Sequence, residues 1–298
     1  MADLAIALTG ALARRNEAGT PGDISARRLG KGDGWVVDDM ICTADRRDRA
    51  FEERHGGFSI ALILAGSFQY SSGRSSELMT PGSIMLGSPG QCFVCAHDHA
   101  PGDRCLSFRF APEFFRRSAH DAGAPVRRGF ASLRVPPVRA LSPLISRAIA
   151  DLPTASDGLW EEIATRVSVA IARLTTGAPT RDDRNPLPSS IARVTRAVRD
   201  IERHDAARLP LASLARRAGL SPYHFLRTFE SITGATPHQY VRRLRLRDAA
   251  VRLLTTNDKV LDVALASGFG DVSNFNRAFR AEFGASPRAY RAATLRDV

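Results

Sequence analysis

The densest cluster of reactive side chains is Cys92-x-x-Cys95-x-His97-x-His99, with Cys105 following after the loop 100–104. Thiolate and imidazole donors at this spacing suit zinc or another thiophilic metal. A second reading is a redox-sensing thiol whose pKa is lowered by Arg104 or by the histidines. A third is that the cysteines are small buried hydrophobes and the histidines ordinary surface residues. On a strand, Cys95, His97 and His99 would share one face and Cys92 the other, unless a turn or bulge intervenes. Neither half of the chain shows a Ser/His/Asp arrangement or a phosphate-binding glycine loop.

A second constellation is a repeat near the carboxy terminus. Phe225, Arg227, Phe229, Gly234, Ala235, Pro237 and Tyr240 return fifty residues later as Phe275, Arg277, Phe279, Gly284, Ala285, Pro287 and Tyr290. Upstream, Leu214-Ala215-x-x-Ala218-Gly219-Leu220 is echoed by Val263-Ala264-x-x-Ser267-Gly268-Phe269. Each copy spells helix, tight turn, helix. Gly219 and Gly268 supply the positive φ that ends the first helix. Ser221 and Asp271 stand as N-caps, and Pro222 sits where a missing N–H costs nothing. The aromatic pairs four residues apart define a buried face. The opposite face carries Tyr223, Leu226, Arg227 and Glu230 in one copy, and Ser273, Asn276, Arg277 and Arg280 in the other. Arg and Asn can make bidentate contacts to guanine and adenine edges in the major groove, and Leu226 can offer an apolar contact such as to a thymine methyl.

Between the copies, 237–255 reads as a helix roughly 28 Å long, close to the ~34 Å of one DNA turn. It could therefore present both second helices to adjacent major grooves. Arg242, Arg243, Arg245 and Arg247 on it are candidate phosphate contacts, or simply a solvated surface.

Charge follows the same division. Of the formal net charge of +11, residues 188–298 contribute 19 Lys+Arg against 10 Asp+Glu, +9, and residues 1–187 contribute 23 against 21, +2. Such a local excess is the footprint of a polyanion-binding unit.

Upstream, residues 34–110 read as short strands broken by turns, which predicts an all-β sandwich or barrel. Cys105 to Phe110 alternates with a period of two. After Pro136-Pro137 the pattern becomes helical, and 138–151 and 159–174 form a predicted hairpin around the 153–158 turn. Residues 175–190, rich in Pro, Asp, Arg and Ser, read as a linker. The apolar start 4–13 lacks the basic n-region of a secretory signal and reads as a short amphipathic helix or a loose terminus. No apolar run approaches the roughly 18 residues of a membrane span. Four cysteines in 298 residues make no disulfide scaffold, so a reducing cytoplasm fits best.

The string GFGDVSNFNRAFRAEFGASPRAYR (residues 268–291) resembles the signature of the AraC/XylS family of transcription regulators, and the resemblance covers roughly residues 191–293. It implies an α+β protein. A cupin-like β-barrel with a helical hairpin (20–175) would be followed by a linker (176–190) and by two helix-turn-helix subdomains joined by a central helix (191–293). The positions matching that family's base-facing residues are Tyr223, Leu226 and Arg227, then Ser273, Asn276 and Arg277. Implied partners are double-stranded DNA, RNA polymerase, a second copy of the chain, and an unknown small-molecule, metal or redox effector. Against the cupin metal pattern, Glu53 and His55 fall on the two first histidine positions, Ser59 replaces the glutamate, and Cys92 replaces the later histidine. An intact three-His-one-Glu iron site is thus absent. His55 joins Cys92, Cys95, His97, His99 and Cys105 as a candidate ligand of zinc or another thiophilic metal. The alternative function is a metal-dependent cupin enzyme fused to a DNA-binding module.

Overall fold

The computed structural model describes residues 2–50, 52–126, 129–153, 157–176, 186–203 and 211–294. Its strands are β1 (Ile24–Gly32), β2 (Trp35–Cys42), β3 (Glu52–Arg54), β4 (Phe58–Gly66), β5 (Phe68–Ser72), β6 (Ser75–Met79), β7 (Ile84–Gly87), β8 (Cys92–Ala96), β9 (Asp103–Phe110) and β10 (Arg134–Val135). They form a six-stranded sheet in the order β1-β2-β9-β4-β7-β10 and a four-stranded sheet in the order β3-β8-β5-β6. The helices of this half are α1 (Ala2–Ala18), α2 (Pro112–Asp121), α3 (Ser142–Asp151) and α4 (Asp157–Thr175). The second half is helical throughout: α5 (Pro188–Arg203), α6 (Leu211–Arg217), α7 (Pro222–Thr233), α8 (Pro237–Thr255), α9 (Val260–Ala266), α10 (Val272–Phe283) and α11 (Pro287–Thr294). The α+β class is the expected one.

The period of two in β9 and β4 sorts side chains between two environments. Leu106, Phe108 and Phe110, with Phe58, Ile60 and Leu62, join Trp35 and Val37 in a core shared with Phe115 of α2, Ile145 and Ile149 of α3, and Trp160, Ile163 and Val167 of α4. The alternate residues, Cys105, Ser107 and Arg109 with Ser59 and Ala61, line a cavity on the sheet's other side. Both faces of β4 are thereby buried, which is why its sequence reads as one continuous apolar run.

Three elements depart from expectation. β1 lies ahead of the predicted strand region; its basic, glycine-containing sequence is mostly exposed and is held as an edge by pairing with β2. α2 also escaped the pattern, although Phe115 and Ala119 share a buried face. The helix expected over 138–151 starts only at Ser142, after a 3-10 turn at Arg139–Leu141, because Pro143 in its first turn cannot tolerate an α-helical turn before it. Of the two termini considered, the helix is correct: Leu8 of α1 is buried, and Arg15 pairs with Asp45 (3.2 Å) and Asp48 (2.7 Å). The hairpin turn falls partly, and the linker mostly, outside the described residues; α5 begins at Pro188, inside the expected linker.

The halves are packed together. α3 lies along α8, and Val251 of α8 touches the barrel-side core, while Leu78 of β6 is part of the core around Phe225 and Phe229. Polar links include Ser142 Oγ donating to Glu282 (2.7 Å), Tyr240 Oη donating to the Pro81 carbonyl (3.1 Å) and the Gly66 N–H donating to Glu202 (3.1 Å).

Candidate DNA interface and barrel cavity

Each helix-turn-helix is built by the local rules its sequence carries. Gly219 (φ 66°) and Gly268 (φ 77°) take the left-handed conformation that closes the turn. The Ser221 hydroxyl accepts from the His224 N–H (3.4 Å), and the Asp271 carboxylate accepts from the Asn274 N–H (2.7 Å), so α7 and α10 both start on side-chain caps. Phe225 and Phe229 are fully buried with Ile191, Val194, Leu214 and Tyr240. Phe275 and Phe279 are fully buried with Leu253, Val263 and Phe269. Burial of those faces turns Tyr223, Arg227, Ser273, Asn276 and Arg277 to solvent and leaves Leu226 half-buried. The Arg227 guanidinium lies 5.9 Å from the Tyr223 ring centroid and donates to its hydroxyl (3.3 Å), so the two side chains are arranged as a pair.

The connecting helix α8 has the expected extent, with a Thr236–Gln239 capping box at its start. Three of its four candidate phosphate-contacting arginines have contacts within the protein. Arg243 donates to the Pro137 carbonyl of the barrel half, and Arg245 donates to the Gly268 carbonyl (3.1 Å). Arg247 is buried against Gly82. A helix that packs between two cores and a neighbouring sheet has little surface left for DNA, and long arginine side chains reach the nearest carbonyls. Only one nitrogen of the half-buried Arg243 is engaged by Pro137, so its guanidinium keeps further N–H donors for a phosphate.

In the barrel, a cavity of about 630 Å³ lies between the sheets. Its wall mixes Trp35, Met40, Phe68, Met85 and Phe93 with Cys42, Glu53, His55, Cys95, His97, Asp103, Cys105 and Arg109. The six candidate metal ligands are not brought together as one site. His55 is buried, hydrogen-bonded to Tyr70 (2.8 Å) and stacked on Phe93 (4.0 Å), and burial lowers its pKa to about 4, so it is neutral. Cys92 pairs with Arg54 across β3 and β8 and is absent from the cavity wall, as strand alternation requires. His99 lies exposed beyond the end of β8. Cys95, His97 and Cys105 do reach the cavity, and burial pushes the thiols of Cys95 and Cys105 well above the ordinary range.

What His97 meets instead is Asp103, at 2.8 Å, and Cys42. Burial alone would favour neutral imidazole, but the hydrogen bond to Asp103 and the neighbouring Cys42 outweigh it and raise the pKa to about 10, so His97 is charged at neutral pH. Cys42 and Asp103 are not legible in the sequence as partners of His97, because their approach depends on the β2–β9 register and on the facing of two sheets. Among the described residues, no helix is long and apolar enough to cross a membrane.

A family model described as a helix-turn-helix domain matches residues 214–293, and one described as an AraC-like ligand binding domain matches residues 39–166. The HTH-type transcriptional activator AarP of Providencia stuartii is 38% identical over 91 residues, 30% of this chain and 67% of that protein. Regulatory protein SoxS of Salmonella typhimurium is 35% identical over 91 residues, 30% of this chain and 85% of that protein. The Right origin-binding protein of Escherichia coli is 37% identical over 91 residues, again 30% of this chain but only 32% of that protein. The chain thus spans about a third of this last relative's length. On these matches the chain belongs to the AraC/XylS family of DNA-binding transcription regulators.

Proposed function

We propose that this regulator responds to an effector in its barrel cavity and reads DNA through α7 and α10. In this reading Tyr223, Leu226 and Arg227 face one major groove and Ser273, Asn276 and Arg277 the next. The observation that carries it is the pair of capped helices whose buried phenylalanines leave those side chains outward, on two units joined by one continuous helix. The division into a sensor domain (20–175), a linker (176–190) and a DNA-binding domain (191–293) belongs to the same proposal, with the first helix of the second unit starting at Pro188. So do a cytoplasmic location, action as an activator through RNA polymerase, and a homodimer. The barrel is read as a sensor rather than an enzyme because the relatives are transcription regulators. Turnover of an organic substrate by the purified chain would reverse that reading.

The test is specificity. After selection of a cognate site from random duplexes, Arg277→Ala should weaken cognate binding by about 1–3 kcal/mol. Binding to random DNA should change much less. Equal losses on both would show that Arg277 only positions the protein on the backbone.

A route from cavity to groove runs through Arg134. Its register partner across β7 and β10 is Met85, a cavity-wall residue. The Arg134 side chain is buried, pairs with Glu77 (3.0 Å), and donates to the Thr233 (3.1 Å) and Ile232 (2.7 Å) carbonyls at the end of α7. A guanidinium there satisfies helix-end carbonyls and complements the negative end of the helix dipole. Arg134→Ala removes the ion pair to Glu77 and the donors to two helix-end carbonyls, and should lower unfolding free energy by about 3 kcal/mol in urea denaturation. Arg134→Lys should recover little of it, since one ammonium lacks the planar fork that spans all three acceptors. Full recovery by lysine would mean that charge alone matters at this position.

A further inference from the structure

We propose that Cys42, His97 and Asp103 form a site for a thiophilic divalent cation of the zinc type at one end of the barrel cavity. Cys42 and Asp103 are register partners on β2 and β9, and His97 follows β8 in the opposite sheet, so the site bridges the two sheets. One ligand atom from each residue lies within 4.8 Å of the other two. His97 and Asp103 are buried, Cys42 is partly accessible, and all three line the cavity wall.

The donor set decides the class of ion. One sulfur, one imidazole nitrogen and one carboxylate oxygen match zinc and its tetrahedral substitutes, whereas calcium and magnesium take oxygen donors. Metal–ligand bonds of about 2.0–2.3 Å place donors roughly 3.3–3.7 Å apart in a tetrahedron. The His97–Asp103 pair, at 2.8 Å, would open slightly as the cation replaces the proton between them. A thiolate and a carboxylate also cancel the charge of a divalent ion, which removes the main cost of placing it in a largely apolar cavity. Three protein donors leave a fourth position facing the cavity, where a small ligand or water completes the tetrahedron. The site shares only His97 with the ligand set expected from the sequence, and none of its three residues falls on the cupin-pattern positions Glu53, His55, Ser59 and Cys92.

The test is a cobalt(II) titration of the reduced, chelator-treated full chain. One equivalent should produce a sulfur-to-cobalt charge-transfer band with intense tetrahedral visible absorption, and added zinc should displace it. Cys42→Ser should abolish the charge-transfer band, while Cys92→Ser, off the cavity wall, should leave it unchanged. Absence of the band in the wild-type chain, or its persistence in Cys42→Ser, overturns the assignment. Should Cys42→Ser fail to fold, zinc-edge X-ray absorption of the wild-type zinc-loaded protein decides. One sulfur with nitrogen and oxygen neighbours supports the site, and a shell of three or four sulfurs overturns it. DNA binding measured on the same preparations reports on the regulator reading separately.

Discussion

Raising salt from about 50 to about 200 mM should weaken DNA binding by the full chain roughly 10³-fold, a log–log slope near about −5. The counterion-release argument needs about six neutralised phosphates for that slope. Residues 188–298 carry 19 basic against 10 acidic side chains, yet several of the arginines are engaged inside the protein. Arg243, Arg245 and Arg291 donate to backbone carbonyls, and Arg247 is buried. Apart from the groove-facing Arg227 and Arg277, the exposed basic side chains include Arg196, Arg216, Lys259, Arg280, Arg288 and Arg217, the last paired with Asp200 (3.2 Å), enough for about six phosphate contacts. Gel shifts or fluorescence anisotropy across a salt series measure the slope directly. A value shallower than about −2 would leave too few phosphate contacts for two helix-turn-helix units lying on one duplex.

Phe279→Ala should cost about 3–5 kcal/mol, the range for removing a fully buried aromatic ring. Phe279 is the centre of the second unit's core, with ring centroids 5.5 Å from Phe275, 4.4 Å from Phe283 and 5.4 Å from Tyr290. That core is small, so the remaining side chains cannot collapse into the space, and the loss should be local. The expected result is a two-step denaturation in which α9 to α11 unfold first and the barrel follows near its original midpoint. Cognate DNA binding should fall with the first step, since Asn276 and Arg277 lose the helix that orients them. Calorimetry together with anisotropy checks both parts. A single transition shifted by less than about 1 kcal/mol would mean that the second unit draws its stability from its docking on the barrel half rather than from its own core.

The sequence by itself determined the DNA-binding half. Helix ends, caps, turn glycines and the i, i+4 phenylalanine pairs are local features, and each acts within a few residues of itself. The identity and outward direction of Tyr223, Arg227, Asn276 and Arg277 follow from that local geometry. Strand alternation in β9 was legible for the same reason, as was the placement of Cys92 on the opposite face from Cys95. What only the tertiary structure decided involves residues distant in the chain. Which carbonyl an arginine on α8 reaches depends on what packs against the helix: Arg243 donates to Pro137 and Arg245 to Gly268. Likewise, the neighbours of a cavity-facing histidine are set by register and by sheet facing. His97 therefore found Cys42 and Asp103, while His55 turned to Tyr70 and Phe93. The Arg134 bridge is of the same kind: a two-residue strand, β10, delivers its side chain to the end of a helix about a hundred residues further along the chain. Short-range preferences write themselves into sequence spacing, but contacts between sheets and between halves are settled by the packing of both partners at once.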